Sequence, residues 1–450
     1  MLGLEDSGSE QCAAGMSRLE TEGSSSPLER LPGELICRVL TSVSDLATLR
    51  SLIHASPVLH SAYLHNRNTV LRVCLGRELD GVLVDACATL MSRVRMLGSP
   101  RTNKLVIDFL NVYKGWLSGS SPYPDLESIN PSSIRWMASV HLAVVRPLAL
   151  RYADWALANL RKGIADTAVA VEGTPTEPHT AEDSMSRSEE IRVLRALYRY
   201  ETYYHLFGRN DGVRYGGFRH HEISEYFFGL FEPWEAEACG SIDLFVRAKY
   251  EDIFNEVKPD LHPRNSRFLQ ENGVYNPQGS FDLDNEHNDY MNGTVSRGLK
   301  IIARLLAIHD HETLVAKVER HLTHDQWMDA SLETVLDTVA QNDRREMLGT
   351  NSRDEAEQRM DPLTFFGDAV PPVGPPFAWV VLWNGKYANV YGGYVPEALR
   401  RWGYVIWDEG RWRQMGAEGL IAKQWELAPD LVKEIETDCD WNPISRGLET

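Results

Sequence analysis

The sequence predicts a mainly α-helical protein, and three observations carry that prediction. Apolar residues recur at spacings of three and four along most of the chain, strict alternation is scarce, and Ser, Asp and Pro signals stand just ahead of the periodic stretches. With 450 residues, 43% of them apolar and 24% charged, the chain can bury one large core or several smaller ones.

Residues 1–27 are polar, acidic and rich in Ser and Gly, with no apolar period. They are expected to form a disordered tail, and they have neither the basic start nor the apolar stretch of a secretory signal. Order is expected from Leu28. Leu31 to Leu40 reads as a short helix opened by Pro32, with Leu35, Ile36, Val39 and Leu40 in one apolar stripe. Ser44 or Asp45 can cap a second helix that carries Leu46, Leu49, Leu52 and Ile53 inward. Ser56-Pro57 is a second cap and proline pair, leading into Val58, Leu59, Tyr63 and Leu64. Three short helices within residues 28–75 bury too little surface to fold well alone, so they need a partner surface or the rest of the chain.

Residues 76–171 continue as helices, with Leu105, Ile107, Phe109 and Leu110 in period. A long apolar pattern from Ser132 to Leu160 should be kinked or split at Pro147. Residues 172–188, acidic and holding two prolines, read as a linker or loop and mark the clearest domain boundary. Residues 189–450 are expected to form a helical C-terminal domain. Its first helix starts at a Ser188 cap and runs to about Phe207, and further helices are expected over 222–231 and from Pro233 to about Val257. Pro259 to Asn285 is irregular, and helical periodicity returns over 294–322 and 325–348. The prolines at 371–376 stop all regular structure. Residues 377–384 fit a buried strand or a buried helix equally, and Pro396 to Met415 reads as one helix carrying Leu399, Trp402, Trp407 and Trp412.

Lys and Arg number 46 against 64 Asp and Glu, a formal net charge of -18, which is the wrong sign for a protein that wraps nucleic acid. Six cysteines without a C-x-x-C pair exclude a zinc ribbon and read as reduced thiols. The longest wholly apolar run, Phe377 to Trp383, falls far short of the ~20 residues that cross a bilayer. Neither nucleic acid nor membrane is therefore expected as a partner, and the expected location is cytoplasmic, nuclear or both.

Several clusters carry residue types suited to catalysis or metal binding, and none has the spacing that such chemistry needs. His309-Asp310-His311 with His321 and His324-Asp325 gathers histidines and carboxylates, but H-E-x-x-H is absent and a break near Thr323 would separate them. His220-His221-Glu222 with Glu225 reads as a solvated helix start. Asp282-x-Asp284-x-Glu286 begins like a calcium loop, yet His287 stands where the turn needs glycine and Gly293 where the last carboxylate belongs. Gly385-Lys386 lacks the phosphate-loop spacing, Gly-x-Ser-x-Gly is absent, and Gly208 to Gly217 follows no strand. No catalytic residue, resident metal or cofactor is expected. Nine of twelve tryptophans follow the linker, and most should be core. Trp412 with Arg411 and Arg413 is the candidate substrate-binding group, since Trp and Arg concentrate at binding hot spots.

The string Leu31-Pro32-Gly33-Glu34-Leu35, the leucine-bearing second helix Leu46 to Ile53 and the serine-started third helix at Ser56 resemble the F-box family in order and spacing. His54-Ala55-Ser56-Pro57, Pro233-Trp234-Glu235 after Phe231, and Arg400 to Asp408 extend the similarity, over most of the chain, to F-box-like proteins of filamentous fungi. The family's usual Val-Ser-x-x-Trp ending is replaced by Ala55-Ser56-Pro57-Val58-Leu59-His60, so its aromatic anchor is missing. The resemblance implies a three-helix F-box-like module at 28–75 that docks on the adaptor of an SCF-type (cullin-RING) ubiquitin ligase while the larger helical domain binds a protein substrate. By position, the adaptor contacts would be Leu31, Pro32, Leu35, Ile36, Val39 and Leu40, with Leu46 and Leu49 partly shared with the module's own packing. The chain would then be a non-catalytic substrate receptor. Two other readings stay open: a metal-dependent enzyme built on the His309 to Asp325 cluster, and a helical scaffold whose F-box-like start packs internally. A docking stripe should leave Leu31, Pro32 and Ile36 exposed, whereas a core stripe should bury them.

Overall fold

The computed structural model describes residues 26–170, 184–209, 214–215, 217–268, 278–325 and 330–438. The expected tail up to residue 25 and the linker residues 172–183 lie outside them. The protein is mainly helical, at 69% helix. Among the described residues, the only strands are a two-residue parallel pairing of Arg101–Thr102 with Arg214–Tyr215.

The first three helices form where the caps place them. Pro32 precedes α1 (Gly33–Ser42), and the Asp45 carboxylate accepts from the Thr48 N–H to open α2 (Leu46–Ala55). Ser56 accepts from the Val58 and Leu59 N–H groups at the start of α3 (Pro57–Glu78), with Pro57 in the first turn where its missing N–H costs nothing. α1 and α2 both pack on α3, which passes through a non-helical residue at Asn66 and continues past the expected module end into the body. There follow α4 (Leu83–Met91), the one-turn α5 (Val94–Leu97), α6 (Asn103–Leu117) and α7 (Pro131–Val140). Pro147 neither splits nor visibly stops the next helix. A π-helical turn, His141–Val145, widens the backbone just before it, and α8 (Arg146–Ala170) continues from there. The wide turn makes room for a ring that would otherwise strike the carbonyl four residues back.

α9 (Arg187–Phe207) starts two residues earlier than a Ser188 cap would allow. Ser186 is the cap: its side chain accepts from the Glu189 N–H while the Glu189 carboxylate accepts from the Ser186 N–H, a reciprocal pair that only a glutamate three residues on can complete. α9 is buried on nearly every face and packs between α4 and α11 (Pro233–Leu261). The helix expected over 222–231 is instead α10 (His220–Tyr226) and a tight 3-10 turn.

After α12 (His287–Val295), the periodic stretches expected over 294–322 and 325–348 resolve into shorter pieces, α13 (Leu299–Leu305), α14 (His311–His321), α15 (Leu332–Val335) and α16 (Thr338–Leu348), and α17 (Ser352–Gln358) follows. Residues 377–382 are helical, α18 (Phe377–Leu382). The single helix expected over 396–415 is two, α19 (Glu397–Trp402) and α20 (Glu409–Gln414). Gly403 divides them in the left-handed region at φ +67°, which a side chain would strain. α21 (Glu418–Glu426) and α22 (Pro429–Asp438) complete the fold. Buried residues from Ile36 to Ile435 make one connected hydrophobic cluster.

The first three helices join the rest through a buried carboxylate. Glu78, on the last turn of α3, accepts from the Leu46 N–H (3.0 Å) and from Arg146 Nη1 (2.6 Å), and its second oxygen lies 3.0 Å from His141 Nε2. The other ring nitrogen of His141 sits 2.9 Å from the Tyr198 hydroxyl on α9. His141 thus bridges Glu78 on α3 and Tyr198 on α9 through its two ring nitrogens. Burial works to raise the Glu78 carboxyl, but hydrogen bonding and charge from His141, the Leu46 N–H and Arg146 outweigh it and hold the group below its ordinary 4.5. A lowered carboxyl stabilises the fold above its unfolded value, and that contribution is lost as pH falls through the folded one. Glu78→Ala should therefore cost about 3–5 kcal/mol in urea unfolding near neutral pH, the range for breaking a buried pair. Glu78→Gln should cost less, and its deficit against the parent should shrink once pH drops below 4.5.

Candidate docking surface

The apolar stripe of α1 divides between two faces. Ile36 (3% exposed) and Leu40 point down onto α3, and Leu46 and Leu49 of α2 are buried beside them. These four hold the three helices together: Ile36 and Leu40 are core where the resemblance implied adaptor contacts, which corrects that expectation, and Leu46 and Leu49 serve the module's own packing, in which they were expected to share. Pro32 and Leu35 (42% exposed) face solvent, while Leu31 and Val39 are half-buried. The test posed by exposure thus splits: Pro32 is open, Leu31 partly so, and Ile36 is core.

Between the start of α1 and the first turns of α3 lies a groove of about 580 Å³. Leu31, Val58 and Ala62 form its apolar lining with Ile36 at the floor, and Glu29, Ser61, His65 and Asn66 make the rim. The turn before α1 is pinned over the groove by Glu29, whose carboxylate accepts from the Ser56 hydroxyl (2.5 Å) and the Ser26 N–H (2.8 Å). Those bonds, the Ser56 one foremost, hold the Glu29 carboxyl below its ordinary value. Val58 (42% exposed) and Leu64 (53%) add to the exposed apolar surface of the module, while Leu59, at the position where the resemblance would place a tryptophan, is buried. Sequence reasoning placed Val58 and Leu64 in the helix without assigning them to a face. The signal was present, because both fall off the Leu59, Tyr63 and Val70 stripe that α3 buries.

The C-terminal nominees do not form a recognition surface. Trp412 is fully buried. Arg411 is buried as well, and its guanidinium meets the Glu189 carboxylate through two parallel bonds, Nε to Oε1 at 2.7 Å and Nη2 to Oε2 at 2.6 Å. Arg413 alone reaches solvent, between Glu409 and Glu418. α20 therefore clamps the start of α9, and the helical spacing that suggested an exposed anchor marks a core one. Trp379, Trp383, Trp402, Trp407 and Trp425 are buried too, and Trp234 is partly buried. Trp327 and Trp441 lie outside the described residues.

The histidines between 309 and 324 are not brought to one point. Asp310 caps α14 through the Thr313 N–H, His311 faces Glu256 and Asp260, His324 lies 3.4 Å from Asp289, and Asp325 pairs with Arg209. The metal-dependent enzyme built on that cluster thus lacks its shared ligand point. Among the described residues, two other groups bring possible ligand atoms together: His220, His221 and Asp343, and His262, Asp282 and Asp284. In the second, Asp284 already pairs with Lys258. In the first, His220 Nε2 lies 2.6 Å from Asp343.

Comparison of the chain with protein-family models, curated proteins and solved structures finds no match.

Truncating Trp412→Ala should cost about 3–5 kcal/mol of stability, as for large buried aromatics. Arg411→Met should also destabilise by leaving Glu189 buried without its partner, whereas Arg413→Ala should leave the melting temperature unchanged. Thermal unfolding of the three variants separates a clamp from a surface anchor.

Proposed function

We propose that the chain is a non-catalytic substrate receptor of an SCF-type ubiquitin ligase, docking on the adaptor through the exposed part of its first three helices and presenting a protein target with the helical body. The observation that supports this reading is the open apolar surface of Pro32, Leu35, Val58 and Leu64 beside the Leu31 groove, on helices whose own packing is already complete. A small helical module needs its buried residues for itself, so solvent-facing apolar residues in one region are what a partner would cover. The order of the Leu-Pro-x-Glu-Leu start and the two capped helices supports the identity of that partner. Among the described residues no helix is long and apolar enough to cross a membrane, and the proposed site of action is the cytoplasm or nucleus, where such ligases assemble.

The burial of Ile36, Leu40, Leu46 and Leu49 favours one second reading, a scaffold whose F-box-like start serves only internal packing. Co-purification of the intact chain with the adaptor decides between them. Leu31→Asp with Leu35→Asp should abolish capture while leaving the melting temperature within a degree or two of the parent, because Leu35 is exposed and Leu31 only half-buried. Ile36→Asp should instead unfold the module. Capture that survives the first pair, or no capture by the parent, would sink the receptor reading.

A further inference from the structure

A cleft of about 620 Å³ opens where α4, α6, α9 and α11 meet the proline-rich segment 372–376. Its volume falls in the roughly 300–1,000 Å³ range of small-molecule sites. Arg192, Arg195 and Arg199 line it from α9, where spacings of three and four put them on one face. Two of the three are neutralised. Arg192 pairs with Asp408 (2.6 Å) and Asp368 (2.8 Å), and Arg199 with Asp85 (2.9 Å) and Glu235 (2.8 Å).

Arg195 is different. Its Nε donates to the Gly81 carbonyl (2.9 Å) and its Nη1 to the Pro372 carbonyl (2.8 Å), so two neutral acceptors from opposite walls fix the guanidinium plane. Among the described residues no carboxylate pairs with it. Of the acids that line the cleft, Asp85 and Glu235 hold Arg199, Glu232 accepts from the Tyr387 hydroxyl, and Asp80 is exposed at the surface. Burial, helped by the neighbouring charge of Arg199, presses the Arg195 guanidinium toward a lower pKa against the opposing pull of Asp85 and Glu235. Lys114 stands exposed at the cleft edge, also without an ion pair among the described residues. Phe231, Trp234 and Leu117 supply apolar wall.

We propose that this cleft binds a small organic anion, a carboxylate or phosphate monoester on an aromatic or aliphatic body, with its head on Arg195 near Lys114 and its body against Phe231 and Trp234. A guanidinium held by neutral acceptors keeps its charge for an incoming oxyanion, and a fork already oriented loses little freedom on binding. The site is independent of the docking face, and neither stands or falls with the other.

Calorimetric titration of the full chain with phenyl phosphate and with phenylacetate tests it, with benzyl alcohol as the uncharged control. At least one anion should bind saturably with Kd below about 1 mM, and Arg195→Gln should weaken it at least about tenfold while benzyl alcohol shows no saturation. Lys114→Gln, at an exposed position that does not threaten folding, should weaken the same anion about threefold and decides the matter where Arg195→Gln fails to fold. Absence of saturation by both anions up to about 10 mM overturns the proposal. So does anion binding that a folded Arg195→Gln leaves unchanged, or, where that variant does not fold, binding that Lys114→Gln leaves unchanged.

Discussion

The structure depends on Glu78 staying ionised in a place that water does not reach. Its carboxylate receives the first N–H of α2, the guanidinium of Arg146 at the start of α8 and the ring of His141 in the π-turn, so one side chain fixes where three segments meet. An uncompensated carboxylate there would cost several kcal/mol. The consequence runs outward along the chain. His141 passes the constraint to Tyr198 on α9, and Arg146 also approaches Asp45, whose carboxyl lies at about 2 because the bonds from Ser44 and Thr48 overcome the effect of burial. The three leading helices are thereby held to the body by directed polar bonds in addition to the apolar cluster that α1 and α2 share with α3.

α9 is the second beneficiary of the same logic. Its N-terminal end is gripped by Glu189 with Arg411, and by Asp408, which accepts from Ser186, Ser188 and Arg192. Asp368 grips Arg192 from another segment and accepts from the Glu409 N–H, so residues 364–376 and α20 close over one helix end together. A helix so fixed can present a row of arginines with little rotamer loss, and its pattern of partners is informative. Arginines that bind carboxylates belong to the clamp, while the one that binds only carbonyls is left facing open volume.

Legibility in the sequence followed how local each cause was. Caps and first-turn prolines act over three or four residues, and Asp45, Ser56-Pro57 and Pro233 all mark helix starts that can be read without a fold. Ser186 was hidden by Ser188, two residues away and chemically equal, and only Glu189 as reciprocal partner separates them. The break at Gly403 was hidden because apolar spacing continues through it: Tyr404, Val405, Ile406 and Trp407 are buried by a turn as completely as by a helix. For the functional surface the limit is sharper. Periodicity says that Leu35, Ile36, Val39 and Leu40 share a side of α1, but not how far α3 covers that side, and tertiary contact moved Ile36 and Leu40 inside while leaving Leu35 out. The cleft was illegible, since its walls come from segments separated by up to some three hundred positions and an unpaired arginine looks like any other until its neighbours are placed.

A docking face that can be wetted when free must not carry the residues that fold it, or detachment of the partner would also loosen the module. The division within α1 meets that requirement. Ile36 and Leu40 belong to the buried set, Pro32 and Leu35 to the exposed one, and the turn carrying Leu31 is pinned by Glu29 and Ser56 rather than by any partner. Glu78 also ties α3 and α2 to α8 and, through His141, to α9, so the exposed face keeps a fixed bearing on the body. Position is thereby transmitted rigidly from the leading helices to the body. It follows from a buried ionic junction more directly than from apolar packing alone, since directed bonds resist the sliding that apolar contact permits.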